Sequence, residues 1–117
     1  MPFHHRQLAA AVCITAAWVV GAVPAQANSA LANKHGCLGC HANSSQLVGP
    51  AYQAVAAKYG SAGGAPSGID KTTVSMLAQS IRKGGSGKWG EMAMPPQAQL
   101  SEADAKRLAA WILGGAK

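Results

Sequence analysis

At 117 residues the chain has room for one domain at most, and its ten Lys and Arg against four Asp and Glu give it a net charge of +6. The basic residues are scattered, without the run that marks a nucleic-acid-binding strip, so the charge balance points to an acidic protein partner. With only three cysteines, a dense disulfide framework is excluded as the staple that so small a domain often needs.

The first quarter of the chain reads as a removable leader. His4, His5 and Arg6 precede an apolar stretch from Leu8 to Val23, followed by Pro24-Ala25-Gln26-Ala27. A charged start, an apolar centre and an A-x-A ending are the parts of a secretory signal peptide. The apolar stretch has sixteen residues, short of the roughly 20 that a permanent membrane span requires, so an uncleaved anchor is the weaker reading. Cleavage is expected after Ala27, giving a signal segment over 1–27 and a domain over 28–117. Cys13 leaves with the leader, because the A-x-A site competes with any lipid modification there. The remaining 90 residues carry nine Lys and Arg against four Asp and Glu.

In the domain itself, Ser29 is placed to cap a short helix that ends at Gly36. Asn43 to Pro50 lacks periodicity and reads as a loop. Ala51 to Tyr59 is helix-prone, with Tyr52, Val55, Ala56 and Tyr59 on one face. GSAGGAPSG, residues 60–68, is a flexible loop. Thr72 or Thr73 can cap a third helix with the stripe Val74, Leu77, Ala78 and Ile81, closed by Gly84-Gly85. Residues 84–100 are irregular, and a structureless connection of that length is usually functional. Ser101, with Glu102 and Asp104 behind it, opens a last helix whose inner face is Leu108, Trp111 and Ile112. No alternating strand pattern appears. The expected fold is all-α, about four short helices joined by long loops.

HGCLGCH, residues 35–41, carries the chemistry, and four readings compete for it. A Cys37–Cys40 disulfide would close a four-residue loop, which constrains the unfolded chain very little. A redox dithiol normally sits at a strand-to-helix junction, and no strand pattern precedes Cys37. A zinc site needs four ligands in tetrahedral array, and no second Cys or His cluster completes one. The fourth reading takes Cys37-Leu38-Gly39-Cys40-His41 as a C-x-x-C-H attachment site for haem c. Two thiols three residues apart on one turn can add to the two vinyl groups of a porphyrin, and the next imidazole then faces the iron. Covalent haem would also staple the domain.

A six-coordinate haem requires a ligand opposite His41, and a Met thioether often supplies it. Met94 stands in the irregular segment directly before Pro95-Pro96, which restrict the backbone around it. Met92 is its competitor, and Met76, on a helix, suits core filling. His35 is expected to be exposed and structural.

These residues resemble one family, the short bacterial class I cytochromes c of the c-551 type. The likeness covers nearly all of 29–117 through GCLGCHA, LVGPAYQAVAAKY, LAQSIRKGGSGKWGEMAMPP and LSEADAKRLAAWIL. It implies the class I fold wrapped around one covalent haem c, with Cys37 and Cys40 as thioether anchors and His41 and Met94 as iron ligands. The Pro50 carbonyl would accept a hydrogen bond from His41, and the Trp89 indole N–H would donate to a haem propionate. Core packing alone is the rival account of Trp89. Where relatives often carry an Arg for the propionates this chain has Ser80, leaving Arg82 or Lys83 as substitutes. Gln97 stands where an Asn often lies near the Met sulfur.

The resemblance implies a periplasmic, monomeric electron carrier that is not an enzyme. It would pass single electrons between a donor and an acceptor, such as a nitrite reductase, a terminal oxidase or a peroxidase. No nucleic acid and no stable membrane insertion after cleavage are implied. Lys34, Lys58 and Lys88 are candidates for steering acidic partners. The alternative from another class is an open-site haem protein in which Met94 leaves the iron free for a small ligand; a thiol oxidoreductase is weaker.

Overall fold

The computed structural model describes Met1 and residues 25–60 and 69–117. The expected leader therefore lies outside the described residues, apart from Met1 and its last three positions, and so does most of the Gly-rich loop. Ala25–Lys34 forms helix α1. It starts four residues before Ser29, which is inside the helix and does not cap it. The Ala-Gln-Ala-Asn run ahead of Ser29 has high helix propensity overall, so the helix propagates through it. The end of α1 falls as expected, before Gly36.

A single 3₁₀ turn, Cys37–Gly39, follows. Helix α2 spans Tyr52–Val55 and widens at once into a π turn over Ala56–Gly60. The expected helical stretch is present, but its second half departs from α geometry, a deviation often found near functional sites. Tyr52, Val55 and Ala56 are buried and Tyr59 is half-buried, as their spacing predicts.

Helix α3 spans Lys71–Lys83. Its cap is Asp70, not Thr72 or Thr73: the Asp70 carboxylate accepts from the Thr73 backbone N–H at 2.9 Å and from its hydroxyl at 3.1 Å. The third residue into the helix thus supplies donors to the cap. These hydrogen bonds, led by the Thr73 N–H, hold the Asp70 carboxyl below its ordinary range. Helix α4 spans Glu102–Leu113, capped by Ser101, whose hydroxyl accepts from Asp104 N–H at 3.1 Å.

The core lies where α1, α2 and α3 meet α4, and α3 makes the most extensive contact with it. Leu100 and Leu108 are fully buried, and Trp111 and Ile112 join them as the last helix's stripe requires. Trp111 donates its indole N–H to the Lys117 carbonyl at 3.2 Å and meets Tyr52 edge-on, with ring centroids 5.4 Å apart. Among the described residues the fold is all-α, and its one β-type pairing is an isolated bridge between Gly85 and Met94.

Candidate functional site

The turn at Cys37 is closed by short backbone bonds. Cys40 N–H and His41 N–H both donate to the Cys37 carbonyl, at 3.1 and 2.9 Å. Both thiols are free. Burial pushes the Cys37 thiol above its ordinary pKa, and nearby Cys40 adds to the rise, outweighing hydrogen bonds from its own backbone and Tyr52 that act the other way. A thiol-exchange site needs the opposite shift, a thiolate favoured near neutral pH. The dithiol reading gains no support from Cys37. The zinc reading fails, since no group of three or more Cys, His, Asp or Glu is placed to share a metal among the described residues.

The chain then folds back beneath His41. Gly49 N–H donates to the Cys40 carbonyl at 2.8 Å, and Tyr52 N–H to the Ala42 carbonyl at 2.9 Å. This loop delivers the Pro50 carbonyl to the imidazole, and His41 Nδ1 donates to it at 2.8 Å. Committing Nδ1 as a donor leaves Nε2 as the lone-pair nitrogen and fixes the plane of the ring. Tyr52 stacks on His41 with centroids 5.2 Å apart and planes 16° from parallel. Gly49 presses from close by: a Cβ there would come within 2.8 Å of Nδ1 and 2.9 Å of Nε2. Only glycine leaves that space, which explains the Gly-Pro pair after the loop. Burial drives the Tyr52 phenol far above its ordinary pKa, so it stays neutral.

On the other side, Met94 is held by its backbone. Gly85 and Met94 exchange N–H···O bonds of 3.0 and 2.8 Å. Gly84, at φ 66°, sits so close under Pro95 and Pro96 that a Cβ would lie 2.8 Å from their backbone atoms. Met94 is half-buried and packs against the core, whereas Met92 is 69 % exposed. That difference favours Met94, as the prolines suggested. Met76 is 43 % exposed and so is not core filler. His35 is also not the exposed residue expected: it is half-buried, and its Nε2 is enclosed without a partner among the described residues.

Between these two sides runs one apolar cleft, lined by Cys37, Cys40 and His41 on one side and by Met94 and Pro95 on the other. Val55, Leu77, Ile81, Leu108 and Ile112 supply its apolar surface. Trp89, 37 % exposed, stands in its lining with Lys88. Helix α3 contributes Met76, Leu77, Ser80 and Ile81, a stripe of helical period that its C-cap Gly84 continues. Arg82 and Lys83 fall off that stripe and do not line the cleft. Arg82 instead donates Nε to the Leu100 carbonyl at 3.0 Å. Gln97 turns its amide to the Pro95 carbonyl at 3.1 Å and accepts from Gln99, away from the lining.

The donor set fits a haem. An imidazole with its Nδ1 committed, a thioether held across an apolar cleft and two free thiols on one turn are what a covalently bound, six-coordinate haem calls for. Sequence reasoning missed the Tyr52 stack, because a tyrosine on a helix face reads as core. It also missed the closeness of Gly84 to the ligand loop, which only its place before Gly85 hinted at.

These features define a haem-binding site of the class I cytochrome c type. The sequence model of the cytochrome c family matches residues 25–116. The chain is 47 % identical over 87 residues to cytochrome c-552 of Hydrogenobacter thermophilus, covering 74 % of this chain and 80 % of that one. It is 53 % identical over 78 residues to cytochrome c-551 of Azotobacter vinelandii, covering 67 % and 84 % respectively. The crystal structure of Nitrosomonas europaea cytochrome c552 superposes with a TM-score of 0.63 at 41 % identity, over 73 % of this chain and 95 % of that one. The chain belongs to the cytochrome c family. Its fold is the class I fold, its cofactor is one covalently bound haem c, and its activity is that of a monohaem electron carrier.

Proposed function

We propose that the chain is exported, cleaved after Ala27, and works in the periplasm as a one-electron shuttle between two protein partners. The observation that carries this reading is the convergence of His41 and Met94 on one apolar cleft. Among the described residues no helix is long and apolar enough to cross a membrane.

The haem supplies the one-electron iron couple. Cys37 and Cys40 would anchor it through thioethers, and His41 and Met94 would hold its iron. The Pro50 carbonyl keeps the imidazole from rotating and raises its basicity, as outer partners of a ligand do. Val55, Ile81, Leu108 and Ile112, all buried, exclude water from the cleft. With His41 and Met94 both holding it, the group would supply a one-electron couple that needs little reorganisation.

Electrons would enter and leave beside the exposed Leu38, Leu47 and Val48, within the small area that transient redox interfaces cover. The net positive charge would speed encounters with an acidic donor or acceptor at low salt.

Absorption spectra and the intact mass of the exported protein test this reading. The expected result is a chain beginning at Asn28 with one haem added, a c-type reduced spectrum, and a Met-to-iron charge-transfer band when oxidised. Five-coordinate haem would replace the shuttle with the open-site alternative, and haem-free protein would remove both.

A further inference from the structure

A haem brings two propionate carboxylates as well as its iron, and carboxylates at the edge of an apolar cleft need cations or donors. The cleft has few to give. Of the described residues lining it, Lys88 alone carries a formal charge at neutral pH. Ser80, on the stripe of α3 that faces the cleft, donates its hydroxyl to the Met76 carbonyl at 3.1 Å. Arg82 is turned to the Leu100 carbonyl, and its charge helps hold the Glu102 carboxyl low, after the larger effect of Lys106.

A second cation, Lys58, stands outside the lining itself but against its Trp89 end. The Lys58 ammonium lies 4.6 Å from the centre of the Trp89 ring and 5.4 Å from that of Tyr59. Tyr59 and Trp89 meet edge-on at 6.3 Å, and both line the cleft. The π turn over Ala56–Gly60 carries Lys58 and Tyr59 together. Cation–π attraction restrains the ammonium over the indole. Among the described residues the ion pairs are Lys106–Glu102 and Arg107–Asp104, so neither Lys58 nor Lys88 is committed to a carboxylate. Glu91, exposed, is the only acidic residue on the 84–100 segment that carries Trp89.

We infer that Lys58, restrained over the Trp89 indole, and Lys88 beside it form the cationic site that receives the carboxylates of the bound haem. The inference rests on the haem reading above and adds to it the residues that balance the propionate charge. Lys58 and Lys88 are positioning residues that act on the iron through the propionates. Their positive charge favours the reduced iron and keeps the propionates ionised.

The test compares Lys58→Met, Lys88→Met and the double variant with Lys71→Met, an exposed lysine away from the cleft lining. Haem content, the Met-to-iron band and the reduction potential are followed against pH. Methionine keeps an apolar stem over Trp89 and deletes only the charge. The double variant should retain haem and the band, with an equilibrium constant for reduction lowered about threefold or more, the order that Coulomb energies near a protein surface allow. The fall of potential that accompanies propionate ionisation should move to higher pH, because the carboxylate loses the cations that favour its charged form. Lys58→Arg should restore both. Tyr59, in the lining, and Glu91, two residues from Trp89 in sequence, keep their native side chains in every variant. A double variant whose ionisation step stays in place, with a potential shifted no more than by Lys71→Met, overturns the assignment while leaving the haem reading intact. Wild-type protein without haem overturns both.

Discussion

The two sides of the cleft are built differently. The His41 side is closed by bonds between neighbours in sequence: Cys37 to His41, Cys40 to Gly49, Ala42 to Tyr52, and His41 Nδ1 to Pro50. Its ring is also stacked on a buried tyrosine. The Met94 side rests on a two-bond bridge to Gly85, the close approach of Gly84, and Gln97 N–H donating to the Arg82 carbonyl. Most of its residues from Gly85 to Gln99 are exposed. The imidazole is therefore fixed by a local framework, and the thioether by a loop laid against α3. A donor bound by many short-range constraints keeps its geometry when its surroundings change, whereas one held by few long-range constraints does not.

The strongest test of that contrast replaces the anchors. Cys37→Ala with Cys40→Ala should abolish covalent haem, read as loss of the haem increment in the intact mass. Next in size is Met94→Ala, which should keep haem attached yet lose the Met-to-iron band, lower the potential and admit added imidazole. Met92→Leu should leave all three as they are, and the asymmetry of the two sides would collapse if Met92 proved the ligand. The third comparison sets glycine against glycine. Gly49→Val forces atoms into the His41 ring, an overpacking that costs about 1–3 kcal/mol, and should perturb both redox forms. Gly84→Val should spare the His41 side and weaken only the Met band. Smaller still is Ser101→Ala, which removes the α4 cap at about 1 kcal/mol, visible in thermal unfolding with the spectrum unmoved.

The smallest effect concerns acid. The Asp70 carboxyl is lowered on folding by the Thr73 N–H and hydroxyl, so its contribution is present above its ordinary value of 3.8 and is lost as pH falls through the folded value below it. Asp70→Asn should flatten the decline of stability below that pH, measured by acid titration of the helical signal.

The motifs on either side of the cleft were legible because each is local. C-x-x-C-H places two thiols and an imidazole on one turn wherever that turn occurs, and Met before two prolines marks a constrained loop. Helix stripes were legible for the same reason, and Leu108, Trp111 and Ile112 are buried as their period requires. The misses are choices that distant contacts decide. Asp70, Thr72 and Thr73 can each cap a helix, and propensity does not choose among them. Arg82 is one residue beyond the α3 stripe, and its guanidinium goes where the Leu100 carbonyl arrives. The π turn has no pattern of its own in AAKYG; there the chain packs on the end of α4, where a Cβ on Gly60 would meet the Leu113 backbone.

The Gly85–Met94 bridge also bears on motion. Two hydrogen bonds on an exposed loop can open without disturbing Leu100, Leu108 or the α3–α4 contact, so the loop belongs to the low-energy end of local unfolding. Breathing there would release the sulfur from the iron while the thioethers and His41 keep the cofactor in place. Amide hydrogens of Gly85 and Met94 should then exchange with solvent well before those of Gly49 and Tyr52. With Met94 as the proposed iron ligand, the molecule would lose that ligand briefly, many times, and still be the same folded protein when the loop closes again.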